Sequence, residues 1–152
     1  MAHLVSYPYT VEARMCMKAA VRGRVLLVTK TDEHLADVRE ILLHKRYAVT
    51  TAQGLEAISR QAVSRAIDVV VLDLSDAVEA GLSLCRALRL EGVSVPILML
   101  HPKGTIDDLL EGFDAGADVY LRGPHAQEDV LTQISLLCRE ETNSRWKRLF
   151  SL

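Results

Sequence analysis

The chain has 152 residues, about one domain by the usual span of ~100–200 residues. With 49% hydrophobic and 25% charged residues it has the composition of a globular domain, which excludes collagen-like, wholly disordered and disulfide-stapled classes. Eighteen basic against twenty acidic residues give a net charge of −2, so no global field draws the chain to nucleic acid or anionic lipid.

Cys16, Cys85 and Cys138 are odd in number and follow no CxxC pattern. Neither a disulfide framework nor a structural zinc site is expected, and a reducing compartment fits. No apolar run reaches the ~18 residues of a membrane span, and the amino terminus lacks a basic segment leading into an apolar one. The expected location is the cytoplasm.

Residues 1–23 stand apart from the rest of the chain. Tyr7-Pro8-Tyr9 reads as a turn and Val11 to Val21 as a short helix with Met15 on its apolar side, together an extension with little to order it. From Arg24 the pattern changes. Val25-Leu26-Leu27-Val28 is a continuous apolar run of the kind that forms a strand covered on both faces. Leu35, Val38 and Leu42 then have helical spacing, with Thr31 or Asp32 placed to cap that helix. Ala48-Val49-Thr50-Thr51 is a second strand, and Gly54 precedes a helix carrying Leu55, Ile58 and Ala62. Val69-Val70-Val71-Leu72 is a third strand, followed by helical spacing at Leu82, Cys85 and Leu88. Val95 to Leu100 is a fourth strand, with Pro96 near its start, where no ladder donor is needed. Ile106, Leu109, Leu110 and Phe113 mark a fourth helix, closed by Gly116 as a left-handed terminator. Asp118 to Leu121 is a fifth strand, and Val130, Leu131, Ile134, Leu137 and Cys138 mark the last helix.

Five strand-then-helix units joined by right-handed crossovers predict an α/β fold. It is a flavodoxin-like, doubly wound, five-stranded parallel sheet with helices on both faces and the expected strand order 2-1-3-4-5. The domain is expected over 24–140, with a tail at 141–152. In that tail Arg145-Trp146-Lys147-Arg148-Leu149-Phe150 has the aromatic and cationic character of a partner anchor.

In such a sheet the functional crevice lies beyond the carboxyl ends of the strands. The residues there are Thr29, Lys30, Thr31 and Asp32 after the first strand, Asp73 after the third, His101 after the fourth, and Arg122, Gly123 and Pro124 after the fifth. Asp73 is the carboxylate that projects from the centre of the sheet.

Between Arg24 and Arg139 the sequence resembles the receiver domain of two-component response regulators, a CheY-like domain. The resemblance is carried by Val-Val-Val-Leu-Asp73-Leu, by Gly81 eight residues later, by Pro96-Ile-Leu-Met-Leu, by Pro124 and, most specifically, by Ala-Gly-Ala-Asp118-Val-Tyr120-Leu. It implies that Asp73 stands at the phospho-acceptor position and Tyr120 at the aromatic that changes rotamer on activation. It also implies two adjacent acids that hold magnesium, a Thr or Ser after the fourth strand and a Lys after the fifth. Thr29 and Lys30 stand where the acids belong, His101 where the hydroxyl belongs and Gly123 where the lysine belongs. The resemblance further implies that the fourth helix, fifth strand and fifth helix form the face for partners or a homodimer. Here that face carries Asp107, Asp108, Glu111 and Asp118 near Arg122 and Arg139, a mixed-charge patch able to complement itself across a two-fold axis.

Magnesium requires a near-octahedral oxygen shell and acts by bridging phosphoryl oxygens. Asp73 alone is a poor site for it, and Lys30 adds positive charge, so magnesium binding is expected to be weak or absent and no cofactor is expected. A Lys30–Asp73 ion pair at ~4 Å would be worth on the order of 1 kcal/mol in water and ~4 kcal/mol at a surface-like dielectric. Such a pair would hold the crevice in one state without phosphate. Arg122 is the remaining candidate phosphate contact, although strand alternation turns its side chain elsewhere.

The expected function is a stand-alone, atypical receiver in phosphorelay signalling, non-enzymatic and acting through contact with a histidine kinase, regulator or effector protein. Neither nucleic acid nor membrane is an expected partner. Two alternatives stay open: inefficient phosphorylation on Asp73, and a flavodoxin-like small-ligand binder or enzyme using the same crevice.

Overall fold

The computed structural model describes residues 21–30, 33, 35–64, 67–123 and 127–150, the last helix by its backbone alone beyond Cys138. The expected turn at Tyr7-Pro8-Tyr9 and the helix around Met15 lie outside the described residues. So do the side chains of Arg139 and of the Arg145 to Phe150 segment.

The apolar runs become five strands: β1 (Arg24–Val28), β2 (Ala48–Thr51), β3 (Val69–Asp73), β4 (Ile97–His101) and β5 (Val119–Arg122). The periodic segments become α1 (Ala36–His44), α2 (Leu55–Ser64), α3 (Val78–Leu90), α4 (Ile106–Ala115) and α5 (Gln127–Phe150). All neighbouring strands are parallel and their order is β2-β1-β3-β4-β5, as the alternation of elements predicts.

Side chains alternate between the two faces of the sheet, and each face has its own core. Val25, Leu27, Val69, Val71, Leu98 and Leu100 pack with Val38 and Leu42 of α1 and Val130 and Ile134 of α5. Leu26, Val70, Leu72, Ile97, Met99 and Tyr120 pack on the other side, with Ile58 of α2 and Leu82, Cys85 and Leu88 of α3. Burying each such leucine stabilises the fold by about 1.5–3 kcal/mol relative to leaving it in water. β2 is an edge strand, and its Thr50 and Thr51 are exposed.

Several local expectations are modified. α1 starts behind Leu35, which offers no capping hydrogen bond; Thr31 and Asp32, expected as its caps, lie outside the described residues. Its far end turns through Arg46 at φ 69°, the left-handed position that glycine usually takes. α4 has a complete capping box: Asp108 N–H donates to Thr105 Oγ1, and the Asp108 carboxylate accepts from Thr105 N–H. Gly116 ends it in the left-handed conformation, as its sequence predicts. Ile106, Leu110 and Phe113 face solvent at 61%, 59% and 44% exposure, so only part of the apolar spacing of α4 belongs to the core. The helix expected to end near Cys138 instead runs unbroken to Phe150, 24 residues or about 36 Å.

Arg89, near the end of α3, ties three segments together. Its guanidinium donates to the carbonyls of Val93, Val95 and Gly116 at 2.8–3.0 Å and to Asp118 Oδ2 at 2.8 Å. Asp118 in turn accepts from Ile97 N–H at 2.9 Å. Among the described residues, no helix is long and apolar enough to cross a membrane.

Candidate functional site

The register between β1 and β3 sets Val28 beside Leu72, so the next pair beyond the strands' shared ladder is Thr29 and Asp73. Thr29 Oγ1 donates to Asp73 Oδ2 at 3.1 Å. Asp73 Oδ1 accepts from the N–H of Ser75 at 3.0 Å and from its hydroxyl, a turn closed by the carboxylate two residues upstream. Asp73 is therefore held by hydroxyl and amide donors of its own loop and of the β1 end.

Lys30 is not part of that arrangement. Continuing the alternation of β1, Thr29 lies on the face of Val25 and Leu27 with Asp73, and Lys30 lies on the face of Leu26 and Val28. Lys30 is exposed, and no ion pair joins it to Asp73. The expected Lys30–Asp73 lock is absent: Asp73 is bound by Thr29 and Ser75, and Lys30 stands exposed past the end of β1. Lys30 instead borders a cavity of about 310 Å³ between α2 and α3. Sequence reasoning missed this cavity; its signal is the run of small residues Ala77, Ala80 and Gly81 where α3 begins.

His101 is buried at the end of β4, and its Nδ1 hydrogen-bonds the hydroxyl of Tyr120 at 2.8 Å. The two rings meet edge to face, with centroids 6.3 Å apart. Tyr120 is buried as well, and burial, with Asp108 and Glu111 nearby, pushes its hydroxyl up from 10.0 to about 12. Gly112 of α4 makes room for the ring: a Cβ there would come within 2.5 Å of Tyr120 Cδ2 and Cε2. Tyr120 also touches the rim of the exposed α4 stripe through Phe113, at a centroid distance of 6.5 Å.

Gly123 follows β5 at φ 77°, a conformation in which a lysine would be strained, and its N–H donates to the His101 carbonyl at 3.1 Å. Arg122 is exposed and lies beside His101 in the sheet register. β5 is two strands away from β3, a lateral separation of about 10 Å. Pro124 lies outside the described residues.

The charged residues expected on one face are divided. Asp107 and Glu111 are exposed on α4. Asp108 is committed to the capping box, whose hydrogen bonds from the Thr105 backbone and then its side chain hold its carboxyl below the ordinary value. Asp118 binds Arg89 and Ile97 at the amino end of β5, about 13 Å along the strand from Arg122. What α4 presents between its acids is the apolar stripe of Ile106, Leu110 and Phe113.

Thr29, whose hydroxyl donates to Asp73, and Lys30 follow β1, and Asp32 lies outside the described residues. Among the described residues no group of three or more His, Cys, Asp or Glu side chains lies together.

Residues 25–135 match the family described as response regulator receiver domain. The chain belongs to the response regulator receiver family. Response regulator MprA of Mycolicibacterium vanbaalenii is 38% identical over 120 residues, covering 78% of this chain and 52% of that protein. MprA of Mycobacterium leprae is 37% identical over 117 residues, covering 76% and 51%. The chain thus spans about half the length of these relatives. Among solved structures, Vibrio cholerae CheY4 superposes with a TM-score of 0.65 at 26% identity, covering 76% of this chain and 98% of that one. The Francisella response regulator 1452 receiver domain superposes at 0.69 with 19% identity over 78% and 98%, a likeness of fold. In this receiver Asp73 and His101 end β3 and β4, Thr29 and Lys30 follow β1, and Gly123 follows β5.

Proposed function

We propose that this receiver is atypical, passing its signal through protein contact without magnesium-dependent phosphorylation of Asp73. The observation that carries the reading is the Thr29 hydroxyl bound to Asp73 Oδ2 at 3.1 Å, where a cation-holding acid would be needed. Magnesium binding is weak or absent on this reading, and Arg122, two strands from Asp73, does not replace the lost lysine.

The partner is a histidine kinase, regulator or effector protein, or a second copy, meeting α4, β5 and α5. The exposed Ile106, Leu110 and Phe113 supply the apolar centre of such a contact, and Asp107 and Glu111 its charged rim. A cytoplasmic setting accords with the buried thiols of Cys85 and Cys138, neither of which is in a disulfide.

The test is a titration with beryllofluoride and magnesium, followed by amide NMR shifts. No saturable change is expected. A magnesium-dependent, saturable change that disappears in Asp73→Ala would establish phosphorylation on Asp73 instead and overturn the reading.

A further inference from the structure

We propose that the cavity between α2 and α3 binds a small amphipathic carboxylate, with the apolar body inside and the anionic head at Lys30. The inference deepens the phosphate-independent reading and rests on it.

The cavity measures about 310 Å³, within the ~300–1,000 Å³ range of small-molecule sites. Val28 and Leu72 form its floor at the point where β1 and β3 part, and Ile58 and Leu84 form its walls. The interior is apolar and the polar groups gather at the mouth, where Lys30, Gln53 and Asp73 stand. This is the distribution that favours a ligand with a greasy body and one polar end. Free inorganic phosphate would leave the half-buried Val28, Ala77 and Leu84 wet, whereas an alkyl chain displaces water from them.

Charge at the mouth selects the head group. Lys30 is exposed and has no ion pair among the described residues, so it is the cation at the opening. Asp73 touches the rim, but its carboxylate is bound to Thr29. α2 and α3 both begin at this opening, behind Gly54 and Ala77, neither of which caps with a side chain, so the helix ends add partial positive charge to that of Lys30.

The test uses the full chain and octanoate, hexanoate and octanol as probes, read by amide and methyl NMR shifts. Octanoate is expected to give saturable shifts at Gly54, Ile58 and Leu84. Each methylene should add about fourfold in affinity, so hexanoate should bind roughly fifteenfold more weakly. Lys30→Ala should weaken octanoate about fivefold and leave octanol unchanged. Ala80→Leu, a filling substitution at an exposed wall position, should remove both.

Equal binding of octanoate and octanol, an unchanged octanoate affinity in Lys30→Ala, or shifts confined to the α4 stripe would each overturn the proposal. The beryllofluoride titration is run separately without octanoate. Saturation there defeats the phosphate-independent reading, whereas silence in both titrations defeats the cavity proposal alone.

Discussion

Replacing Tyr120 by Phe removes one hydroxyl from a buried pair and leaves the ring in place. His101 and Tyr120 are each 7% exposed, and the hydrogen bond between them is 2.8 Å long. A hydrogen bond between neutral groups contributes a net ~0.5–1.5 kcal/mol, and a buried polar atom left without its partner costs about 1–3 kcal/mol. The His101 ring borders a hollow shared with Ser75 and Lys103, so water reaches Nδ1 in part once the hydroxyl is gone. Tyr120→Phe is therefore expected to lose about 1 kcal/mol. His101→Leu strands the Tyr120 hydroxyl beneath α4 and is expected to lose about 2 kcal/mol. In the double variant neither polar atom is stranded, so the loss should be about 2 kcal/mol and not 3, a coupling near 1 kcal/mol. Urea unfolding of the four proteins near neutral pH measures each value, with an unchanged m-value as the check that the transition stays two-state. A coupling below about 0.3 kcal/mol would refute the account, because residues in direct contact normally couple by more than that.

Two other side chains, and the Tyr120 hydroxyl again, have measurable consequences. Arg89→Met should destabilise by about 3 kcal/mol, mostly through the carbonyls of Val93, Val95 and Gly116, because the half-exposed ion pair with Asp118 is worth only about 0–1 kcal/mol; a loss under 1 kcal/mol in urea unfolding would contradict this. Arg46→Gly should stabilise by about 1 kcal/mol, since Arg46 sits at φ 69° where a side chain is penalised, and a thermal midpoint that falls would argue against it. Because the Tyr120 hydroxyl is raised from 10.0 to about 12, the folded state holds its proton more tightly than the unfolded chain. Stability from that group is complete below pH 10 and is lost as pH rises toward 12, so alkaline unfolding should be less steep in Tyr120→Phe.

The sheet was legible because its strands are buried on both faces and announce themselves as unbroken apolar runs, Val69 to Leu72 above all. The partner of Asp73 was legible too, but only through parity. Thr29 and Lys30 are adjacent in sequence, and the favourable charge product points to Lys30, yet alternation assigns Asp73's face to Thr29. α4 shows a different limit. Ile106, Leu110 and Phe113 and the packed Leu109, Gly112 and Ala115 both follow a helical period, and periodicity cannot tell which of two apolar stripes meets the core. The choice is made by Tyr120, whose ring requires the glycine at 112 to face it. α5 runs on past Cys138 because nothing in the sequence stops it: Glu140, Glu141, Arg145, Lys147 and Arg148 are good helix formers, and no Gly or Pro interrupts them.

The two ends of the crevice have become internally bonded, and that bears on how a signal can enter. At β1 and β3, three donors from Thr29 and Ser75 already occupy Asp73. A phosphoryl group placed there would have to displace them, each worth a net ~0.5–1.5 kcal/mol, and would add nearly two negative charges. At β4 and β5, His101 spans the gap itself. Its ring holds Tyr120, and its carbonyl accepts from Gly104 and Gly123 at 3.0 and 3.1 Å. No incoming group is needed to bring β4 and β5 together, so Tyr120 is pinned under α4 by the resting protein. On the proposed phosphate-independent reading, a change at the α4 stripe requires breaking the His101–Tyr120 bond from the outer face, and a partner seated there shifts the equilibrium.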